Sequence, residues 1–120
     1  VIDLARAVAA VVDRLTAGGV AATADIRNLN PPAVLVPPPT LEWRFGRGAE
    51  ATWQVVATVG NTGTGAAITA LSELVDAAQE AMGGLITAGR PVDLSSPDGG
   101  APLPGYELTF TTKITERTSP

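Results

Sequence analysis

Between residues 30 and 39 the chain reads NPPAVLVPPP, and no other stretch restricts its fold as tightly. Proline has no backbone N–H, holds its own φ nearly fixed and drives the residue before it toward extended geometry. The apolar run Ala33, Val34, Leu35 and Val36 therefore cannot belong to a helix interior or to a long central strand. It is expected as a short strand with rigid ends, near the edge of a sheet.

Helical patterns lie on both sides of this segment. In DLARAVAAVVDRLTAGG, Leu4, Val8, Val11, Val12 and Leu15 fall on one arc at helical spacing. Asp3 is a fitting N-cap, Gly18 or Gly19 a fitting stop, and Asp13 and Arg14 lie off the stripe. A second helix is expected over residues 66–82, with Ile68, Leu71, Val75, Ala78 and Met82 as its buried line and Gly83 and Gly84 ending it.

The remaining segments alternate with period two. VAATADI is a weak strand candidate. TLEWRF and EATWQVVATV flank Gly46, Arg47 and Gly48 as a β-hairpin would. In the second of these strands Ala51, Trp53, Val55, Ala57 and Val59 share one face. Residues 85–105, rich in Gly, Pro and Ser, are expected as a long surface excursion with a short strand around 92–94. YELTFTTKITE then places Tyr106, Leu108, Phe110, Thr112 and Ile114 on one face, and residues 117–120 are expected to fray. The order predicts one α+β domain over residues 1–120, a two-layer fold with both helices on one face of a mostly antiparallel or mixed β-sheet. The other face of such a sheet must meet water or a partner.

Composition narrows the chemistry. The 120 residues include no Cys and no His. Disulfides, thiol nucleophiles, imidazole bases and zinc sites of the usual kind are thereby removed. No apolar run approaches the ~20 residues that span a bilayer, so a soluble chain with no membrane partner is expected. The net charge is −4, and residues 61–120 hold three basic and seven acidic side chains. Phosphate neutralisation needs clustered Lys and Arg, so specific nucleic-acid binding is not expected.

Four motifs bear on function. The run Gly60-Asn61-Thr62-Gly63-Thr64-Gly65 resembles a nucleotide loop, but its spacing is G-x-x-G-x-G, not G-x-G-x-x-G, and Ala66 stands where a P-loop needs Lys. It reads as a turn in which Asn61, Thr62 or Thr64 caps the second helix. Glu73, Asp76 and Glu80 form an acidic stripe on that helix, with no Lys or Arg between residues 66 and 89. An ordinary solvated face explains the stripe; a surface that repels another polyanion is the functional alternative. Carboxylate-pair catalysis would need an enclosed pocket, so no catalytic, cofactor or metal residues are assigned. Finally, Trp43, Arg44, Phe45 and Arg47 gather aromatic and cationic groups at the hairpin. Core packing accounts for part of this set, yet Trp and Arg also favour the centres of protein interfaces.

The layout resembles a known family. A first helix running into ADIRNLNPPAVLVPPPTLEW, a hairpin, a second helix, a Pro/Gly excursion and LPGYELTFTT is similar to the tail terminator (tail completion) proteins of long-tailed bacteriophages. The similarity extends from about Leu4 to Ile114 and is nearest to phages of GC-rich actinobacteria. It implies a structural virion protein at the tail–neck junction, made in the host cytoplasm, that assembles into a ring, commonly a homohexamer. Such a ring caps the tail tube, ends its polymerisation and offers the surface to which the head attaches. The implied partners are copies of itself, the tail tube protein and a head-completion or neck protein, with DNA passing through the channel without specific binding. No cofactor is implied. On this reading Trp43, Arg44, Phe45 and Arg47 are candidate subunit or tube contacts, and Glu73, Asp76 and Glu80 candidate channel lining. Another neck protein, either a head-completion protein or a stopper, is the near alternative. A small-ligand-binding regulatory domain using residues 60–65 is the alternative from another class.

Overall fold

A computed structural model of the chain describes residues 3–43, 48–60, 64–95 and 102–115. Its elements are α1 (Leu4–Ala17), β1 (Ala22–Thr23), a 3-10 turn (Ile26–Asn28), β2 (Ala33–Leu35), β3 (Thr40–Trp43), β4 (Gly48–Thr58), α2 (Thr64–Ala81), β5 (Ala88–Leu94) and β6 (Leu103–Thr115). The sheet order is β1-β2-β4-β6-β5, with β3 also paired to β4. Only β1 and β2 run parallel; every other pairing is antiparallel. This is the expected two-layer α+β fold with a mixed sheet.

The spine is the β4–β6 ladder, which keeps one register from Gly48↔Thr115 to Thr58↔Gly105. Period-two alternation puts Ala51, Trp53, Val55 and Ala57 of β4 beside Leu108 and Phe110 of β6, all buried against Val11 and Leu15 of α1 and Ala78 of α2. Both helices thus cover the same face. The rings of Trp53 and Phe110 stack at 5.9 Å with 11° between planes, worth about 0.5–1.5 kcal/mol beyond the area they bury.

The proline segment divides a strand in two. Both β2 and β3 pair with the edge of β4 that faces away from β6. Ala33 to Thr40 is seven steps, while their partners Thr58 to Thr52 are six steps apart. One extra residue is therefore absorbed around Pro37, Pro38 and Pro39, where no N–H is available to continue the ladder. Outside Ala33–Leu35 the sheet holds only the two-residue β1, so the position near an edge is as expected.

The helix ends follow their sequence signals. The Asp3 carboxylate accepts from the Arg6 backbone N–H at 3.0 Å. Gly19 (φ 87°) ends α1, and Gly83 (φ 65°) and Gly84 (φ 79°) end α2. At both ends a paired turn forms, with Val20 N donating to Leu15 O and Gly84 N to Gln79 O, each at 2.9 Å.

Four expectations require correction. Ile68 is 60% exposed: α2 is rotated so that Ala67, not Ile68, packs with Val59, Leu71 and Tyr106, and the buried line runs through Ala67, Leu71, Ala78 and Met82. Leu4 is 39% exposed because the first turn of α1 overhangs a groove. Thr64 opens α2 and is not its cap, while Asn61 and Thr62 lie outside the described residues. The excursion over residues 85–105 holds a seven-residue strand, β5, not a short one. Gly89 and Pro91 obscured it, yet both suit this place. A Cβ on Gly89 would come within 3.2 Å of Leu108 Cδ2, and proline is tolerated on a strand paired along one side only. Residues 117–120 also lie outside the described residues.

Candidate functional site

The β3–β4 hairpin pairs Thr40↔Thr52, Leu41↔Ala51, Glu42↔Glu50 and Trp43↔Ala49. This register sends Trp43 to the helix-bearing side of the sheet, in line with Ala49 and Ile114. The helices pack over β1, β4 and β6, and the end of β3 lies beyond their cover. Trp43 is consequently 65% exposed, the most exposed large hydrophobic side chain among the described residues. Arg44, Phe45 and Arg47 fall outside the described residues.

On α2, Glu73, Asp76 and Glu80 are all exposed. They project away from the buried line, and no ion pair to any of them occurs among the described residues. Trp43 and this stripe belong to different elements, so the hairpin and the acids form two separate surfaces.

The sheet face opposite the helices is polar through its middle. Cross-strand rows follow from the register: Thr40, Thr52 and Thr111 in one, Gln54 and Thr109 in the next, Arg90 and Glu107 beyond. Arg90 Nε donates to Glu107 Oε1 at 2.9 Å, and this bond raises the Arg90 pKa further above its ordinary value. Toward Ala33, Thr58 and Gly105 the same face closes over and these residues are buried. The Thr58 hydroxyl there donates to Pro104 O at 2.9 Å. Short hydroxyl and amide side chains make the central face wettable.

Two grooves flank α1. One, about 350 Å³, is lined by Asp3, Arg6, Ala10, Arg14, Trp53 and Lys113 among others. Its Arg14 is already engaged, donating through Nε to Ala81 O at 3.2 Å and through an Nη to Met82 O at 3.0 Å. A side chain that the helical wheel placed off the apolar stripe thus caps the last carbonyls of the other helix. The second groove, about 530 Å³, lies between α1 and the β1 region and ends at Pro38. Apart from Asp13 and Thr23, its lining is made of Ala, Val, Leu and Pro side chains. Neither groove is lined by Gly60 or Gly65, the described glycines of the loop that resembled a nucleotide site. That loop follows β4, whose hydrogen-bonded neighbours β2, β3 and β6 all run antiparallel to it. Strand β5, which follows α2, runs parallel to β4 but is separated from it by β6, so the adjacent parallel strands of a dinucleotide-binding unit are not found among the described residues.

Sequence reasoning did not find the second groove. Its floor joins residues of α1 to residues of β1 and the proline segment, and its one local trace was the apolar Leu4, assigned to the core by its periodicity. Arg14 was likewise invisible, since its acceptors lie 67 and 68 residues further along the chain. Comparison of the chain with models of known protein families and with curated proteins finds no match.

Proposed function

We propose that this chain is a structural subunit that assembles with copies of itself into a ring, acting as a tail terminator of a long-tailed bacteriophage. The observation that carries the reading is Trp43: a tryptophan two-thirds exposed at the end of a hairpin, whose position is set by a four-pair register with β4. Aromatic anchors of this kind concentrate binding energy at protein interfaces, and identical neighbours in a closed ring would cover each one. The sequence resemblance, from the first helix through LPGYELTFTT, supports the specific role. In this role the ring sits at the tail–neck junction of the virion, stops growth of the tail tube and presents a surface to the head. The side chains hold subunits together and run no reaction.

Native mass spectrometry of the protein alone and with purified tail tubes tests the reading. A ring that binds directly to tubes is expected. Binding only to the head-side connector would assign the chain to another neck position. A monomer indifferent to tubes and stabilised by nucleotides would make it a ligand-binding domain.

A further inference from the structure

Strand β5, seven residues long, ends the sheet and pairs only with β6 among the described residues. Ala88, Gly89, Arg90, Pro91 and Asp93 are exposed along it. An edge of this length offers its free N–H and C=O groups to any second chain that can add a strand. We infer that Pro91 guards this edge: it breaks the outward row of backbone donors at its centre and so keeps copies of the chain from joining their sheets through β5. The guard acts whether or not the copies form a ring, and it requires any subunit contact to use another surface.

The register fixes which backbone groups face outward. Val59 N donates to Pro104 O at 3.2 Å, so Pro104 turns its carbonyl toward β4. Successive residues of an antiparallel strand turn to alternate sides, so Tyr106 and Leu108 also face β4, while Leu103, Gly105, Glu107 and Thr109 face β5. Their partners are Leu94, Val92, Arg90 and Ala88, which leaves Gly89, Pro91 and Asp93 turned away from β6. Thr87 N also donates to Thr109 O, at 2.9 Å, although Ala88 is the register partner of Thr109. This bulge turns Thr87 inward, so the outward row begins at Gly89 and has proline at its middle. On its inner side the proline costs nothing, because its partner Tyr106 bonds to β4 and not to β5. Apart from Pro91, the row is self-complementary. Two β5 strands set antiparallel about a two-fold axis at residue 91 would place Gly89 opposite Asp93 of the second copy, Arg90 opposite Val92, and residue 91 opposite itself. No like charges meet in that register. An ordinary residue at 91 would donate and accept one hydrogen bond across the axis. Proline removes both central donors, and its ring fills the space through which the second strand must approach.

The test opens the row with Pro91→Val in the full chain. Far-UV circular dichroism checks that the variant is folded, with Pro91→Thr replacing it should it fail. Sedimentation velocity over a dilution series should show self-association at least about ten-fold tighter than that of the wild type, the effect of regaining the central pair of hydrogen bonds. Hydrogen exchange read by mass spectrometry should find the amides of residues 89–93 slowed in the variant and fast in the wild type, in whatever assembly the wild type forms. Pro91→Val combined with Asp93→Pro, which removes a different outward N–H, should return association to the wild-type level. That double variant separates a blocked row from a loss of proline stiffness. Unchanged association of a folded Pro91→Val chain, tight association that survives the second proline, or a wild type whose Gly89 and Asp93 amides are already slow would each overturn the guard while leaving the ring reading in place. A wild type that stays monomeric, with a Pro91→Val chain that pairs through β5, would remove the ring and keep the guard.

Discussion

The indole of Trp53 is 1% exposed, so its N–H needs a partner inside the protein. It donates to Thr112 Oγ1 at 2.9 Å. Thr112→Val keeps the shape and deletes the acceptor, and it should cost about 1–3 kcal/mol for the stranded donor. Thr112→Ser should retain most of that, with urea unfolding monitored by Trp fluorescence as the readout. Arg14 poses the converse case, a cation satisfying carbonyls that α2 leaves open at its end. Arg14→Ala should destabilise by about 1–2 kcal/mol in the same assay, and Arg14→Lys, lacking the planar fork that reaches Ala81 O and Met82 O together, should recover only part. At Asp25 the side-chain bond from Arg27, reinforced by the Arg27 backbone N–H, holds the carboxyl below its ordinary pKa. Its small stabilisation of the 3-10 turn is therefore present at neutral pH and lost as pH falls through the lowered folded value.

Among the elements, the two helices meet at their C-terminal ends. A Cβ built on Gly18 would stand 2.5 Å from Ala81 Cβ and 3.1 Å from Ala81 Cα. The φ of Gly18 is −82°, open to any residue, so the glycine is required by helix approach and not by backbone conformation. Gly18→Ala should cost roughly 1–3 kcal/mol by forcing α1 away from α2. The same change made together with Ala81→Gly should cost less than the sum of the two, a coupling that a double-mutant cycle reads directly. Beyond α2, the Gln79 amide accepts from Ile86 N and donates to Ile86 O, both at 2.9 Å. It holds the chain where it turns from the helix toward β5.

At the scale of the whole molecule, the proposed tail-terminator role gives the charge on α2 and the hairpin at the end of β3 separable outcomes. Glu73, Asp76 and Glu80 changed together to Lys should slow DNA ejection from assembled particles while ring formation, followed by native mass spectrometry, stays normal. Ejection at the wild-type rate would remove the channel role from these acids. Trp43→Ala combined with Arg44→Ala should do the reverse, lowering the fraction of protein in rings at a given concentration. Rings at normal concentration would return the hairpin to a folding role alone.

The local patterns of this sequence determined the elements and their caps: alternation in β4 and β6, the stripe of α1, glycines past each helix and prolines that cut one strand into β2 and β3. These are properties of neighbouring residues and follow from backbone geometry and period. What the tertiary structure alone decided was how far the cover extends along each element and how α2 is turned against the sheet. Helix α2 turned Ala67 inward and Ile68 outward because the sheet beneath it offered Val59 and Tyr106 at that height. β5 formed despite Gly89 and Pro91 because β6 supplied a ladder along one side. Trp43 remained bare because the helices end their cover before β3. Exposure depends on where distant parts of the chain come to rest, and no periodicity in a single segment records that.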